Sequence, residues 1–292
     1  MSLARRNAAF CLFLLALSVV AFDSIRGFIA LARDGEGSHS SYTLLIPFIS
    51  AALIVFKRNE IFSKLGTSPV LATVAWLAGG FLYYFGRTYG QGFNENDQIA
   101  LRVSTLIAMG FGGFLLIYGP AAFKAALFPL MFSCLAIPIP SPIVDGLVVA
   151  LQKGSAEMVA ILFTITQTPV YRNDFVFALP TVSIEVAEEC SGIRSTIGMS
   201  VLALLAAHLL LRSNWRRSIL LALVVPISLF KNAVRIVTLT LLAVNVDSGF
   251  LTGSLHHEGG LVFMAGGLCL MYPILLLLVR SETKEQLCSG GR

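Results

Sequence analysis

Three short stretches carry the residues able to do chemistry in this chain. EVAEECSGIRST, residues 185–196, sets Cys190 among Glu185, Glu188 and Glu189, just ahead of a long apolar run. KNAVR, residues 231–235, puts Lys231, Asn232 and Arg235 inside another apolar run. HHEGG, residues 256–260, sets His256 and His257 in front of a third. A thiolate attacks a carbonyl, and an imidazole takes the thiol proton and later returns it to a leaving amine. A guanidinium is no base, but it stabilises an oxyanion or holds a substrate carboxylate. Cys190, Arg235 and His256 or His257 together suit acyl transfer: peptide cleavage through a thioester, then capture by water or an amine. Adjacent histidines do not share a helical face, and HHEGG is not HExxH. No metal and no other cofactor is expected.

A thiol just before a helix start feels the positive end of the helix dipole, which favours thiolate. The neighbouring glutamates oppose it, because like charge disfavours a second anion. Activation then calls for a further cation or base nearby. Arg235 is the expected cation, with Asn232 three residues before it on one helical face. Lys231 reads as a structural or lipid-facing lysine. His208 reads as packing, and the second Cys-Ser-Gly, at Cys288, as chance.

The elements that position these groups are membrane helices. Of 292 residues, 56% are hydrophobic and 13% charged, against about 25% charged in a soluble domain. The mean hydropathy is +0.81. Runs of about 20 apolar residues span a bilayer. The expected spans are 8–22, 42–56, 68–85, 99–118, 121–138, 195–211, 218–243 and 261–279. The run 143–166 is interrupted by Asp145, Gln152, Lys153 and Glu157, and reads as a helix on or partly in the membrane surface. Arg5 and Arg6 precede the first run and no small-residue cleavage site follows, so an uncleaved anchor is expected. The five cysteines are Cys11, Cys134, Cys190, Cys269 and Cys288, with no paired spacing.

With eight spans and the N-terminus inside, 12 of the 21 basic residues fall in inner segments: Arg5, Arg6, Lys57, Arg58, Lys64, Lys124, Arg212, Arg216, Arg217, Arg280, Lys284 and Arg292. Only three of the 16 acids, Glu60, Glu282 and Glu285, join them. The net charge of +5 is therefore a topology signal. No basic stripe with interleaved aromatics argues for nucleic acid. Helical rulers of 1.5 Å per residue run from inner arginines to the reactive groups: about 27 Å from Arg217 to Arg235, about 33 Å from Arg212 to Cys190 and about 36 Å from Arg280 to His256. In a core about 30 Å thick, all three reach the outer edge. Between the spans, TPVYRNDFVFALPTVSIEVAEE alternates apolar and polar residues around a turn at Asn173–Asp174. It predicts an antiparallel hairpin over 169–188 that delivers the chain to Cys190.

CSGIRS (190–195), NAVR (232–235) and HHEGG (256–260) resemble, in order and spacing, the exosortase/archaeosortase family. SHSSYTLLIPFISAALIVFKR (38–58) and IPIPSPIVDGLVVALQ (137–152) are similar to the N-terminal and central segments of that family. The resemblance implies a polytopic membrane cysteine transpeptidase with Cys190, Arg235 and His256 catalytic. His256 is preferred to His257 by the H-x-x-x-G spacing to Gly260. It also implies supporting or substrate-contacting roles for Glu189, Ser191, Gly192, Arg194, Asn232, His257 and His39. Expected partners are the lipid bilayer and C-terminal sorting signals, made of a short motif, a transmembrane helix and a basic cluster. In bacteria these belong to PEP-CTERM-type surface proteins linked to exopolysaccharide production. Histidine at the third position resembles the bacterial members, so a bacterial inner membrane is expected, with both termini cytoplasmic and the site extracytoplasmic.

The expected fold is thus an all-α polytopic membrane protein of about eight transmembrane helices, with a small extracytoplasmic β-hairpin before Cys190. Residues 1–292 form one integral-membrane domain, with 139–194 as an extracytoplasmic insert of amphipathic helix and hairpin. The competing readings are a transporter or channel lined by Lys231, Asn232 and Arg235, and a non-catalytic assembly factor for polysaccharide export.

Overall fold

The computed structural model describes residues 2–33, 41–247, 249 and 260–289. Seven helices among the described residues are long and apolar enough to cross a membrane: Leu3–Val20, Pro69–Gly92, Glu95–Ala125, Ser141–Ile165, Ile193–Leu210, Asn214–Asn245 and Val262–Glu285. The chain is a polytopic, mostly helical membrane protein with one small sheet. Two expected spans, 42–56 and 121–138, fall instead in shorter apolar helices, Tyr42–Phe56 and Leu127–Ala136. The run 143–166, expected at the surface, is one of the seven long helices. The chain divides into two compact units, residues 1–144 and 145–292.

In the first unit, α1 (Leu3–Val20), α5 (Pro69–Tyr89) and α6 (Glu95–Ala125) are joined through α2 (Phe22–Arg33), α3 (Ile46–Phe56) and α4 (Arg58–Ile61). Small residues set the α5–α6 approach: a Cβ at Gly112 would come within 2.3 Å of the Trp76 ring. The expected spans 99–118 and 121–138 divide α6 between 118 and 121. The break is a kink inside one helix, at Gly119 (φ 84°) and Pro120. A proline removes a backbone donor and frees carbonyls on the preceding turn. Those carbonyls are taken up locally: Leu115 O by Ser68 N (3.2 Å), Tyr118 O by Gly66 N (2.9 Å) and Ile117 O by the Arg6 guanidinium. Tyr118 also donates to Asn7 Oδ1 at 2.9 Å. Then α7 (Leu127–Ser133) and a 3₁₀ turn (Cys134–Ala136) bring the chain back to the start of α6. There Asn96 Nδ2 meets Ile139 O at 2.8 Å and Ser141 N donates to Asp97 Oδ1 at 2.7 Å.

In the second unit, α8 (Ser141–Ile165, most of it in this unit) leads to a three-stranded antiparallel sheet, β1 (Tyr171–Asn173), β2 (Val176–Ala178) and β3 (Ser183–Glu185). The expected hairpin gains a third strand, because Leu179 N to Val182 O (2.8 Å) closes a second turn. The first turn lies at Asp174–Phe175, one residue later than expected, since Asn173 pairs with Val176. Asp174 takes φ 53°, a left-handed geometry that aspartate tolerates. Phe177, Leu179, Ile184 and Val186 point inward onto Ala156, Val159 and Phe163 of α8 and onto Ala233 and Val237 of the following long helix. Phe163 and Phe177, both fully buried, lie 5.8 Å apart. Burying each such side chain contributes about 1.5–3 kcal/mol. Three helices complete the unit: α9 (Ile193–Leu210), α10 (Asn214–Asn245) and α11 (Gly260–Ser289).

Candidate active site

Two of the four polar residues that argued against 143–166 as a span, Gln152 and Glu157, fix the sheet segment to it. Gln152 Nε2 donates to Val186 O at 2.7 Å from a buried position. Arg172 of β1 makes a two-pronged pair with Glu157, at 2.7 and 3.1 Å, and its guanidinium lies 5.5 Å from the Phe177 ring centre. The bond to Glu157 raises the Arg172 pKa above its ordinary value against the opposing pull of desolvation. The Gln152 clamp grips the chain four residues before Cys190.

From β3 the backbone enters a 3₁₀ turn, Glu188–Ser191, and then Gly192 at φ 75°, ψ 14°, the residue that starts α9. Glycine suits this left-handed position on backbone grounds, and a side chain there would also collide. An added Cβ would come within 3.0 Å of Asn232 Cγ and Oδ1. The cysteine motif and the NAVR motif are therefore in contact through Gly192 and Asn232. Asn232, 1% exposed, donates to Ser155 Oγ of α8 at 3.0 Å. The Gly192 carbonyl accepts from Thr196 N at 3.0 Å and from Ser195 Oγ and Thr196 Oγ1, each at 2.9 Å. The Ser195 hydroxyl in turn accepts from Lys231 Nζ. Ser191 is buried, and its Oγ has no partner among the described residues. Arg194 is exposed, and Arg235 is half-buried one turn beyond Lys231 on α10.

Of the two readings expected of it, structural or lipid-facing, Lys231 takes the structural one. It is 6% exposed and packs against α9 and Gly267 of α11, not against lipid. A charged residue at the membrane centre costs about 2.5–3.5 kcal/mol on insertion scales. Here the ammonium reaches the first turn of α9, a site already rich in oxygen acceptors. Its signal was present in the sequence: Lys231 precedes Asn232 and stands four residues before Arg235, one helical turn away on the same face. Ser155 and Gln152 had no signal beyond being polar in an apolar run.

The opposite end of the same helices is built from ion pairs. The Glu282 carboxylate accepts from Arg212 N at 3.0 Å and Ser213 N at 2.6 Å, and Arg216 lies 3.7 Å from Glu282. Arg216 also pairs with Glu285. The arginines from which the rulers were drawn thus share one end of α9, α10 and α11. The structure shortens one ruler. Only residues from Ile193 onward are α-helical before Leu210, so the helical part is about 27 Å, and a 3₁₀ turn and Gly192 make up the rest.

His39, His256 and His257 lie outside the described residues, as do the side chains of Glu189 and Cys190. The backbone at Cys190 is described and lies in the turn that ends against Asn232, and α11 begins at Gly260, four residues after His256 in sequence. Among the described residues, no three His, Cys, Asp or Glu side chains gather as a metal ion would need. Cys11, Cys134 and Cys269 are free thiols, two of them exposed on apolar helices.

What this arrangement offers chemically is a polar, partly buried turn at a helix N-terminus. Lys231 and Asn232 are supplied from one neighbouring helix, and Ser155, bonded to Asn232, from another. Residues 34–273 match the family described as Transmembrane exosortase (Exosortase_EpsH). The comparisons with curated proteins and with solved structures return no match.

Proposed function

This chain belongs to the transmembrane exosortase family, and from that premise we propose that it is a membrane-embedded cysteine transpeptidase acting on C-terminal sorting signals of exported proteins. The family is linked to cysteine-type sorting or transpeptidase activity at the membrane. In the proposed reaction the Cys190 thiolate attacks the carbonyl of the scissile peptide bond. The tetrahedral oxyanion collapses to a thioester, and the C–N bond breaks. The imidazolium of His256 returns its proton to the departing amine. Water or an amine then attacks the thioester and releases the thiol. Arg235 stabilises the oxyanion or holds a substrate carboxylate.

The observation that carries this reading is the Gly192–Asn232 contact. It supports one site, at one end of the helices, for two motifs separated by a full helical hairpin. The basic ends support the sidedness. Arg6 bonds Gly66 O and Ile117 O in the first unit, and the Arg212–Arg217 turn gathers with Glu282 and Glu285 in the second. By the positive-inside rule these ends are cytoplasmic and the Cys190 turn faces outward, in a bacterial inner membrane. Substrates of the PEP-CTERM type, anchored or released at the cell surface, fit the resemblance. The transporter reading expects polar groups spread along a path. On α10, Lys231, Asn232 and Arg235 occupy about one turn instead.

The test is co-expression with a secreted protein that carries a PEP-CTERM-type C-terminal signal. Wild type converts it to a shortened form and Cys190→Ala does not. Processing that survives the substitution rejects the enzyme reading. An impermeant thiol probe on intact spheroplasts tests sidedness separately: Cys190 labels before lysis if the site faces outward, and only after lysis if it does not.

A further inference from the structure

We infer that the free edge of β3 is a strand-addition site: the polypeptide substrate lies along it as a fourth, extended strand and passes on to the Cys190 turn. The inference rests on the reading of the chain as a transpeptidase and names how its substrate is held. Backbone pairing fixes which groups the edge presents. Leu179 N donates to Val182 O at 2.8 Å, and Val186 N to Phe175 O at 3.0 Å. Phe177 stands opposite Ile184 in the same register. The hydrogen-bonded pairs are thus Leu179–Val182, Phe177–Ile184 and Phe175–Val186, every second position, as an antiparallel ladder requires. The N–H and C=O groups of Ser183 and Glu185 therefore point away from β2, and β3 is an outer strand of the order β1-β2-β3. Among the described residues nothing bonds these four groups, and both residues are exposed.

The strand is held in place for this role. Ile184 and Val186, both buried, root it in the core, and Gln152 fixes its end through Val186 O at 2.7 Å. An unpaired edge is a template for another chain. A peptide that joins it gains main-chain bonds whatever its sequence, and its alternate side chains are left to set specificity. From Glu185 to Cys190 is five residues, a reach of at most about 18 Å. A substrate extended at about 3.3 Å per residue covers that with five or six residues. One short extended segment therefore serves the edge and the Cys190 turn together.

The opposite edge of the sheet does not compete. On β1 the ladder leaves only Arg172 facing outward, because Tyr171 and Asn173 pair with Ala178 and Val176. The Arg172 side chain is also tied to Glu157 and to Asp174 O. A second copy of this chain is a poor occupant of the β3 edge. Two outward residues on a strand about 10 Å long offer four backbone groups, whereas a stable protein interface buries about 800 Å² per partner. A substrate engaged at Cys190 needs the edge only for direction.

The experiment uses full-length protein in membranes, with Cys190→Ala and every other native cysteine replaced by alanine. It is co-expressed with the PEP-CTERM-type substrate of the processing test, which carries one cysteine at a time across the residues ahead of its transmembrane helix. Ser183→Cys or Glu185→Cys is then joined to the substrate by a short bis-methanethiosulfonate reagent. Directly opposite positions on neighbouring strands bring Cβ atoms to about 5.5 Å. Cross-linking is expected at every second substrate residue, with the maximum for Glu185→Cys displaced by two residues from that for Ser183→Cys. Uniform cross-linking along the substrate, none at all, or cross-links only between two copies of the chain overturns the inference. In protein that keeps Cys190, Ser183→Pro and Glu185→Pro remove edge donors that the β2–β3 ladder does not use. Each processes about tenfold less substrate than the alanine variant at the same position, which keeps the N–H. Equal processing by the proline and alanine variants overturns the inference. If the proline variants fail to accumulate, the cross-linking pattern decides, since a merely structural β3 gives no period of two. Cross-linking needs no turnover. Its failure beside intact wild-type processing removes the edge site alone, whereas processing by Cys190→Ala removes the transpeptidase reading.

Discussion

The two ends of the α9–α10–α11 group handle charge in opposite ways. At the Arg212–Arg217 end, arginines meet carboxylates: Glu282 caps the start of α10 through two backbone donors, and Arg216 bridges to Glu282 and Glu285. Charge there is balanced and serves to tie helix ends together. At the Cys190 end, a buried lysine is held by a hydroxyl, a buried asparagine by another hydroxyl, and a buried serine oxygen has no partner among the described residues. Among the described residues no carboxylate pairs with Lys231, unlike the arginine Arg216 at the other end.

Substitutions at the two ends sharpen that contrast. The largest effect is expected from Cys190→Ser, which removes processing below detection, and from His256→Ala, which lowers it by about a hundredfold or more. Both variants accumulate to wild-type levels in the membrane, read by immunoblot and detergent extraction. Arg235→Lys costs about a hundredfold in the same assay, because a point charge does not reproduce a planar fork. Near-normal processing would show that charge alone suffices there. Gly192→Ala forces a left-handed residue to carry a Cβ, at about 1–2 kcal/mol, and presses it against Asn232, 3.0 Å away. Processing falls and the thermal midpoint drops together, and relief of both in Gly192→Ala with Asn232→Ala would locate the strain at that contact. The smallest effect is at the balanced end. Glu282→Gln lowers the thermal midpoint by about 2–4 °C and leaves processing per folded molecule unchanged. A loss of processing there would erase the distinction between the two ends.

Much of this was legible in sequence, for physical reasons that differ by element. Long apolar runs announce helices whatever their packing, and six of the seven long helices coincide with expected spans. The seventh, α8, was obscured because Gln152 and Glu157, which look like interruptions, bond to the sheet. Alternation at Val182, Ile184 and Val186 announced the strand leading to Cys190. The second turn, through Leu179 and Val182, carries a proline at Pro180 and no turn dipeptide that the reading recognised. The kink at Gly119–Pro120 was read as a loop between spans, since Gly-Pro signals a break without saying whether the helix resumes. At the site, the motifs pointed to a meeting of the stretch after Cys190 with the NAVR stretch, and Gly192 and Asn232 are in contact. The motifs did not anticipate Lys231, whose burial depends on which face of α10 meets α9, a property of tertiary packing.

The account turns on a covalent step at one sulfur. Membranes containing the full-length protein and a substrate bearing a C-terminal sorting signal can be quenched in acid, digested and analysed by mass spectrometry. The predicted result is a substrate-derived acyl group on the Cys190 peptide, released by hydroxylamine and absent in Cys190→Ser. A substrate that is cleaved with no such adduct formed, and cleaved equally by the Cys190→Ser protein, would contradict it.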